Sequence, residues 1–154
     1  MLFRPGLNLI GLNDALINPS INGQMDFLLS SLGGIVVFMV LHELTHGAFF
    51  WLFTRHPPVF SFRGAYVFAG APGWYLSRLQ HLIVGLAPLA VLSILGLFLL
   101  IFMPIGFLDA LLFGMLANIS GAVGDLWVAI LEIRECKDLV VEDSGDRFNF
   151  YMPT

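Results

Sequence analysis

The chain has 154 residues, a net charge of −4 and 58% apolar residues, and only 12% of it is charged, against roughly 25% in an ordinary soluble domain. A mean hydropathy of +0.87 makes lipid the expected solvent for most of it. The seven Lys and Arg are scattered without a basic stripe, which removes the case for nucleic acid; the single cysteine, Cys136, excludes an intrachain disulfide and a sulfur-rich metal site.

Residues 1–24 interleave Leu, Ile and Phe with Asn8, Asn13, Asn18 and Asn22 and are broken by Pro5 and Pro19. They lack the basic start, unbroken apolar core and cleavage site of a signal peptide, so the stretch is expected to be retained, with Leu9, Leu12 and Leu16 as a short interfacial face. Three later stretches, at about 27–53, 79–103 and 107–131, are long enough to cross a bilayer, which takes about 20 apolar residues.

The first of these spans carries His42-Glu43-Leu44-Thr45-His46-Gly47 and otherwise no Asp, Glu, Lys, Arg or His. Ionisable groups inside a bilayer are costly and usually functional. On a helix, His42 and His46 share a face, the spacing that lets two imidazoles hold one zinc ion while the intervening Glu43 serves as general base. Residues 54–78 follow, punctuated by Pro57, Pro58, Gly64, Gly70, Pro72 and Gly73. Within them, Val59-Phe60-Ser61-Phe62 and Ala65-Tyr66-Val67-Phe68 flank Arg63-Gly64 and predict a β-hairpin. That hairpin either offers a strand edge to an extended substrate or packs on the membrane surface through its aromatic residues.

In the second span, Gly85 and Pro88 predict a kink. Pro104 to Gly106 is all that separates the second span from the third, which requires a tight antiparallel pair. Residues 132–154 are charged and polar and read as a solvent-side tail. With three spans, Arg55, Arg63, Arg78, Arg134, Lys137 and Arg147 fall on one side and Arg4 on the other. The excess of basic residues puts the hairpin loop and the tail in the cytoplasm and the N-terminus outside. The expected architecture is a single all-α integral-membrane domain of three transmembrane helices with a short β-hairpin in the cytoplasmic loop.

A catalytic zinc needs a third protein ligand, and the candidates are Asp125, His81, Glu132 and Asp109. At about 1.5 Å per residue, His46 and His42 lie about 10 to 17 Å from the cytoplasmic end of the first span, and Asp125 about 9 Å from that end of the third. His81 and Glu132 fall at the cytoplasmic boundary and Asp109 at the opposite one, where solvation accounts for them. Asn118, Gly121, Ala122 and Asp125 also share one small-residue face, which allows close helix approach. Asn118 is a candidate to bind substrate backbone, to orient a ligand, or to make a plain interhelical hydrogen bond. Glu43-x-x-His46 alone matches half of a di-iron bundle pattern, but the chain has no second copy.

The segment HELTHG, the run Leu79-Gln80-His81 into Gly85-Leu86-Ala87-Pro88, and Asn118-Ile119-Ser120-Gly121-Ala122-Val123-Gly124-Asp125-Leu126 together resemble the small bacterial and archaeal membrane proteins of the zincin peptidase family, distant relatives of the site-2 proteases. The ending with Asp143-Ser144-Gly145, Tyr151 and Pro153 is similar as well. Many site-2 proteases carry Asp followed by Gly, with an upstream Asn-Pro element; here Gly124 precedes Asp125 and no proline follows Asn118. The resemblance implies one zinc per chain held by His42, His46 and Asp125, catalysis by Glu43, and hydrolysis of membrane-protein or peptide substrates within a prokaryotic inner membrane. The rival expectation is a non-catalytic membrane subunit or adaptor, with or without a retained metal, packed in a larger complex.

Overall fold

The computed structural model describes residues 21–62, 64, 67–135, 138–145 and 147–152. The interfacial face expected at Leu9, Leu12 and Leu16 lies outside them, as do Cys136 and, in the hairpin, Ala65 and Tyr66. The elements, in chain order, are α1 (Ile21–Thr54), β1 (Val59–Phe62), β2 (Val67–Gly70), β3 (Tyr75–Ser77), α2 (Arg78–Phe102), a 3-10 turn (Ile105–Phe107), α3 (Leu108–Arg134), β4 (Val140–Asp143) and β5 (Phe148–Tyr151). All three α-helices are long and apolar enough to cross a bilayer. Large apolar side chains cover their outer surfaces, among them Leu29, Val36, Ile94, Ile101, Val123 and Trp127, each more than half exposed.

Local chemistry sets the helix ends. α1 stops where Arg55 turns into the left-handed region at φ 59°, and two prolines that follow prevent its resumption. Thr54 Oγ1 accepts the His56 N–H at 3.1 Å there. α2 begins with a capping box in which Ser77 Oγ accepts the Gln80 N–H and Gln80 Oε1 accepts the Ser77 N–H.

The helices meet through glycine. A Cβ on Gly34 of α1 would fall 1.9 Å from the Ala110 carbonyl oxygen of α3, and one on Gly114 would fall 2.2 Å from the Phe38 ring. Small residues at a crossing let two backbones approach closely. Ser30 Oγ on α1 donates to Asp109 on α3 nearby, which gives that carboxylate a partner away from His42 and His46. Two apolar clusters bracket the bundle, one built from Phe38, Leu92 and Leu111 and the other from Phe50, Ala69, Ala71, Leu76 and Val84.

The expected hairpin is present as an antiparallel pair, Val59 opposite Gly70 and Phe62 opposite Val67, with its second strand starting two residues later than the pattern suggested. The tail differs from expectation. α3 runs on to Arg134, and β4 and β5 join β3 in an antiparallel sheet of order β3-β4-β5. The charged and polar stretch thus folds into strands that its composition does not announce, because their local alternation is masked by charge. Leu139 and Val141 are almost fully buried, while Glu142 faces outward. The backbone is tied down by Ala71 N–H to the Asp143 carbonyl at 2.8 Å and Arg78 N–H to the Leu139 carbonyl at 3.0 Å. Exposed Glu142 accepts hydrogen bonds from Gly73 N–H, Tyr151 O–H and Asn149 Nδ2, which hold its carboxyl below the usual range.

The α1–α3 crossing generates a test. Gly34→Ala should destabilise the detergent-solubilised protein by at least the roughly 1–3 kcal/mol of an overpacked core. Gly33→Ala, where a Cβ meets nothing within 4 Å, should leave it unchanged or more stable. Thermal unfolding followed by circular dichroism checks both.

Candidate metal centre

His42 and His46, one turn apart on α1, present their rings 4.9 Å apart between centroids, and both residues are at most 9% exposed. Their Nε2 atoms converge on the Asp125 carboxylate of α3, His42 at 3.1 Å from Oδ2 and His46 at 3.5 Å from Oδ1. Ligand atoms of the three residues all lie within 4.8 Å of one another, and this is the one such group among the described residues. Zinc bonds of about 2.0–2.1 Å put tetrahedral ligand atoms about 3.3 Å apart, so the set fits the ion in both spacing and donor chemistry. His42, His46 and Asp125 therefore form a possible metal site.

The opposite edge of each ring is equally engaged. His42 Nδ1 lies 2.9 Å from Asn118 Oδ1, and His46 Nδ1 lies 3.0 Å from the Val84 carbonyl oxygen. Both partners are acceptors, so each Nδ1 carries a proton, which leaves each Nε2 as the nitrogen that would face a metal held between the rings and Asp125. Val84 can serve because Pro88 stands four residues further along α2 and has no N–H to claim that carbonyl. Asn118 is 1% exposed, and its amide donates to the Pro88 carbonyl at 3.4 Å. Asn118 thus hydrogen-bonds to α1 and α2 at once, with both ends of its side chain occupied.

Glu43, between the two histidines, accepts the Ala69 N–H of β2 at 2.9 Å. Because Ala69 donates away from β1, the β2 edge facing the bundle is the one beside Glu43. Two cavities, of about 330 and 310 Å³, meet at this point, and both are lined by Met39, Glu43, Val67, Gly121 and Asp125. The smaller reaches His42 and opens among Val40, Leu44 and Phe60, all about half exposed.

His81 and Glu132, expected at solvated boundary positions, are instead buried, at 4% and 0% exposed. His81 Nδ1 lies 2.5 Å from Glu132 Oε1 and its Nε2 lies 3.1 Å from Asp143 Oδ2 of β4. The folded-back tail removes them from water. Since Glu132 and Asp143 sit on opposite edges of the ring, the three do not converge on one point as the α1 pair and Asp125 do. His56 stacks on Trp74 at 4.2 Å, apart from either cluster.

Metal content reads the ligand assignment directly. Asp125→Ala should abolish stoichiometric zinc, Asn118→Leu should weaken it by about 10- to 100-fold, and His81→Ala should retain it; competition with a chromogenic chelator measures all three.

No curated protein and no solved structure matches the chain. The family described as "Putative zincin peptidase" matches residues 35–140, a stretch that contains His42, Glu43, His46, Asn118 and Asp125. With more than half of its length covered, this chain belongs to the zincin peptidase family.

Proposed function

We propose that the protein is a zinc-dependent endopeptidase that hydrolyses peptide bonds of membrane-associated substrates inside the bilayer. The observation that carries this reading is Glu43. It stands beside a three-ligand donor set, at the junction of two cavities, and one of these opens on the apolar outer surface. Three protein ligands are the number found at catalytic zinc, whereas structural sites use four. A substrate helix arriving laterally would meet the opening at Val40, Leu44 and Phe60 without leaving an apolar environment.

His42, His46 and Asp125 would hold one zinc ion, which when bound supplies the Lewis acidity that activates water and polarises a scissile carbonyl. Glu43 takes the proton from the attacking water on its carboxylate and returns it to the leaving amine. The Ala69 N–H fixes Glu43 Oε2 and so aims the other oxygen. Asn118 and Val84 keep the two Nδ1 protons in place. A substrate must unwind before cleavage, because a helix hides its carbonyls in its own hydrogen bonds. The β2 edge at Val67, which lines both cavities, is suited to receive the extended segment by strand addition.

The same reading places the three helices across a prokaryotic inner membrane, with the β-sheets on the cytoplasmic side and the chain start outside. The support is the asymmetry of the basic residues, six against one. Partners are then the lipid bilayer and a membrane-protein or peptide substrate, within or without a larger complex.

Purified without chelator, the protein should contain one zinc per chain and cleave a single-span substrate in detergent or proteoliposomes. Glu43→Gln should keep the zinc and lower cleavage by about 10²- to 10⁴-fold, the usual contribution of a general base. Metal-free protein from an unchelated preparation, or cleavage unaffected by Glu43→Gln, would overturn the proposal and favour the non-catalytic subunit.

A further inference from the structure

The larger cavity does not end at the metal ligands. It runs on from Glu43 and Asp125 past Leu82 and Ala129 to His81, Glu132 and Asp143. These three are buried and belong to α2, α3 and β4, so the site exists only in the folded chain. A neutral imidazole has one N–H, yet His81 has a carboxylate oxygen within hydrogen-bond distance of each ring nitrogen. Both contacts are hydrogen bonds only if the cluster holds one proton beyond a neutral ring and two carboxylates. Wherever that proton resides, the sum is one net negative charge. Glu132 Oε2 has no hydrogen-bond partner among the described residues, although Glu132 is 0% exposed and lines the cavity. An unpaired carboxylate oxygen at such depth is costly unless a donor reaches it.

We propose that Glu132, backed by His81 and Asp143, is a substrate subsite that receives a basic side chain, the ammonium of Lys or the guanidinium of Arg. This rests on the peptidase reading above and names the class of sequence it would select. A cationic donor supplies both what Oε2 lacks and the charge that neutralises the cluster. Asp125 and Glu132 are seven residues apart on one face of α3, about 10.5 Å along the axis. An extended peptide advances about 3.3 Å per residue, so the favoured Lys or Arg lies about three residues from the bond held at the metal centre. Membrane segments carry Lys and Arg at their cytoplasmic flanks, so such a residue would enter this end of the cavity while the apolar span occupies the other.

The test uses zinc-loaded Glu43→Gln protein in detergent, which binds without cutting, and fluorescein-labelled apolar peptides carrying one Lys stepped through successive positions. Each has a norleucine counterpart of nearly equal shape. Fluorescence anisotropy should give about tenfold tighter binding for Lys over norleucine, a difference of about 1.4 kcal/mol, at one or two adjacent positions only. Adding Glu132→Gln should remove the preference and leave norleucine binding unchanged. Equal affinity for Lys and norleucine at every position overturns the subsite without any need for the second variant, as does a preference that survives Glu132→Gln. Cleavage by the Glu43 protein separates the two readings. Glu43-dependent cleavage with no Lys preference in binding loses the subsite and keeps the peptidase; preferential Lys binding with no cleavage of either peptide keeps the subsite and loses the peptidase.

Discussion

The hydrogen bond from His46 Nδ1 to the Val84 carbonyl, at 3.0 Å, is the contact on which the centre depends. An imidazole among apolar helices must place its one proton somewhere, and the choice decides which nitrogen faces a metal. α-Helical backbone normally has no carbonyl to spare, since each accepts from four residues ahead. Pro88 removes that claim on Val84. A proline in the middle of α2 thus frees a carbonyl that fixes the tautomer of a histidine on α1. Asn118 does the same service for His42 from α3, so all three helices take part in orienting two rings.

That arrangement needs close and reproducible helix spacing. Gly34 and Gly114 set the α1–α3 distance by permitting backbone contact that any Cβ would block. The carboxylate of Asp125 then meets both Nε2 atoms without leaving the face it shares with Asn118 and Ala122. At the other end, β2 reaches down to Glu43 through Ala69, and β4 reaches His81 through Asp143. Each sheet therefore delivers one polar contact to the lining of the larger cavity.

Much of this was legible in the residues. The three apolar runs found the helices to within a few residues except at the start of α1, because these helices are apolar almost all round and few residues interrupt them. Counting residues from the helix ends brought Asp125 level with His42 and His46, since helix rise is nearly constant. Asn118 was visible as a polar group on that face, but its partners, His42 and the Pro88 carbonyl, depended on rotamers. The β3-β4-β5 sheet was hidden because its buried residues, Leu139 and Val141, sit in a charged stretch and its pairing is with residues more than sixty positions away. Without that sheet, His81 and Glu132 read as solvated, for it is Asp143 of β4 and Phe148 of β5 that cover the His81 ring. The Val84 acceptor had a signal that was available, a proline four residues downstream in a helix, but it points to a free carbonyl and not to its recipient.

The position of β4 also bears on the order in which the protein is made. Chains emerge from the N-terminus, and domains complete as their last elements arrive. All four residues at the heart of the centre, His42, Glu43, His46 and Asp125, precede β4 in the chain, whereas Asp143 and the strand that covers His81 and Glu132 follow α3. The ligand set is therefore synthesised before the wall of its larger cavity. β4 and β5, which contribute Asp143 and Phe148 to the cavity lining, are the last of these parts to emerge.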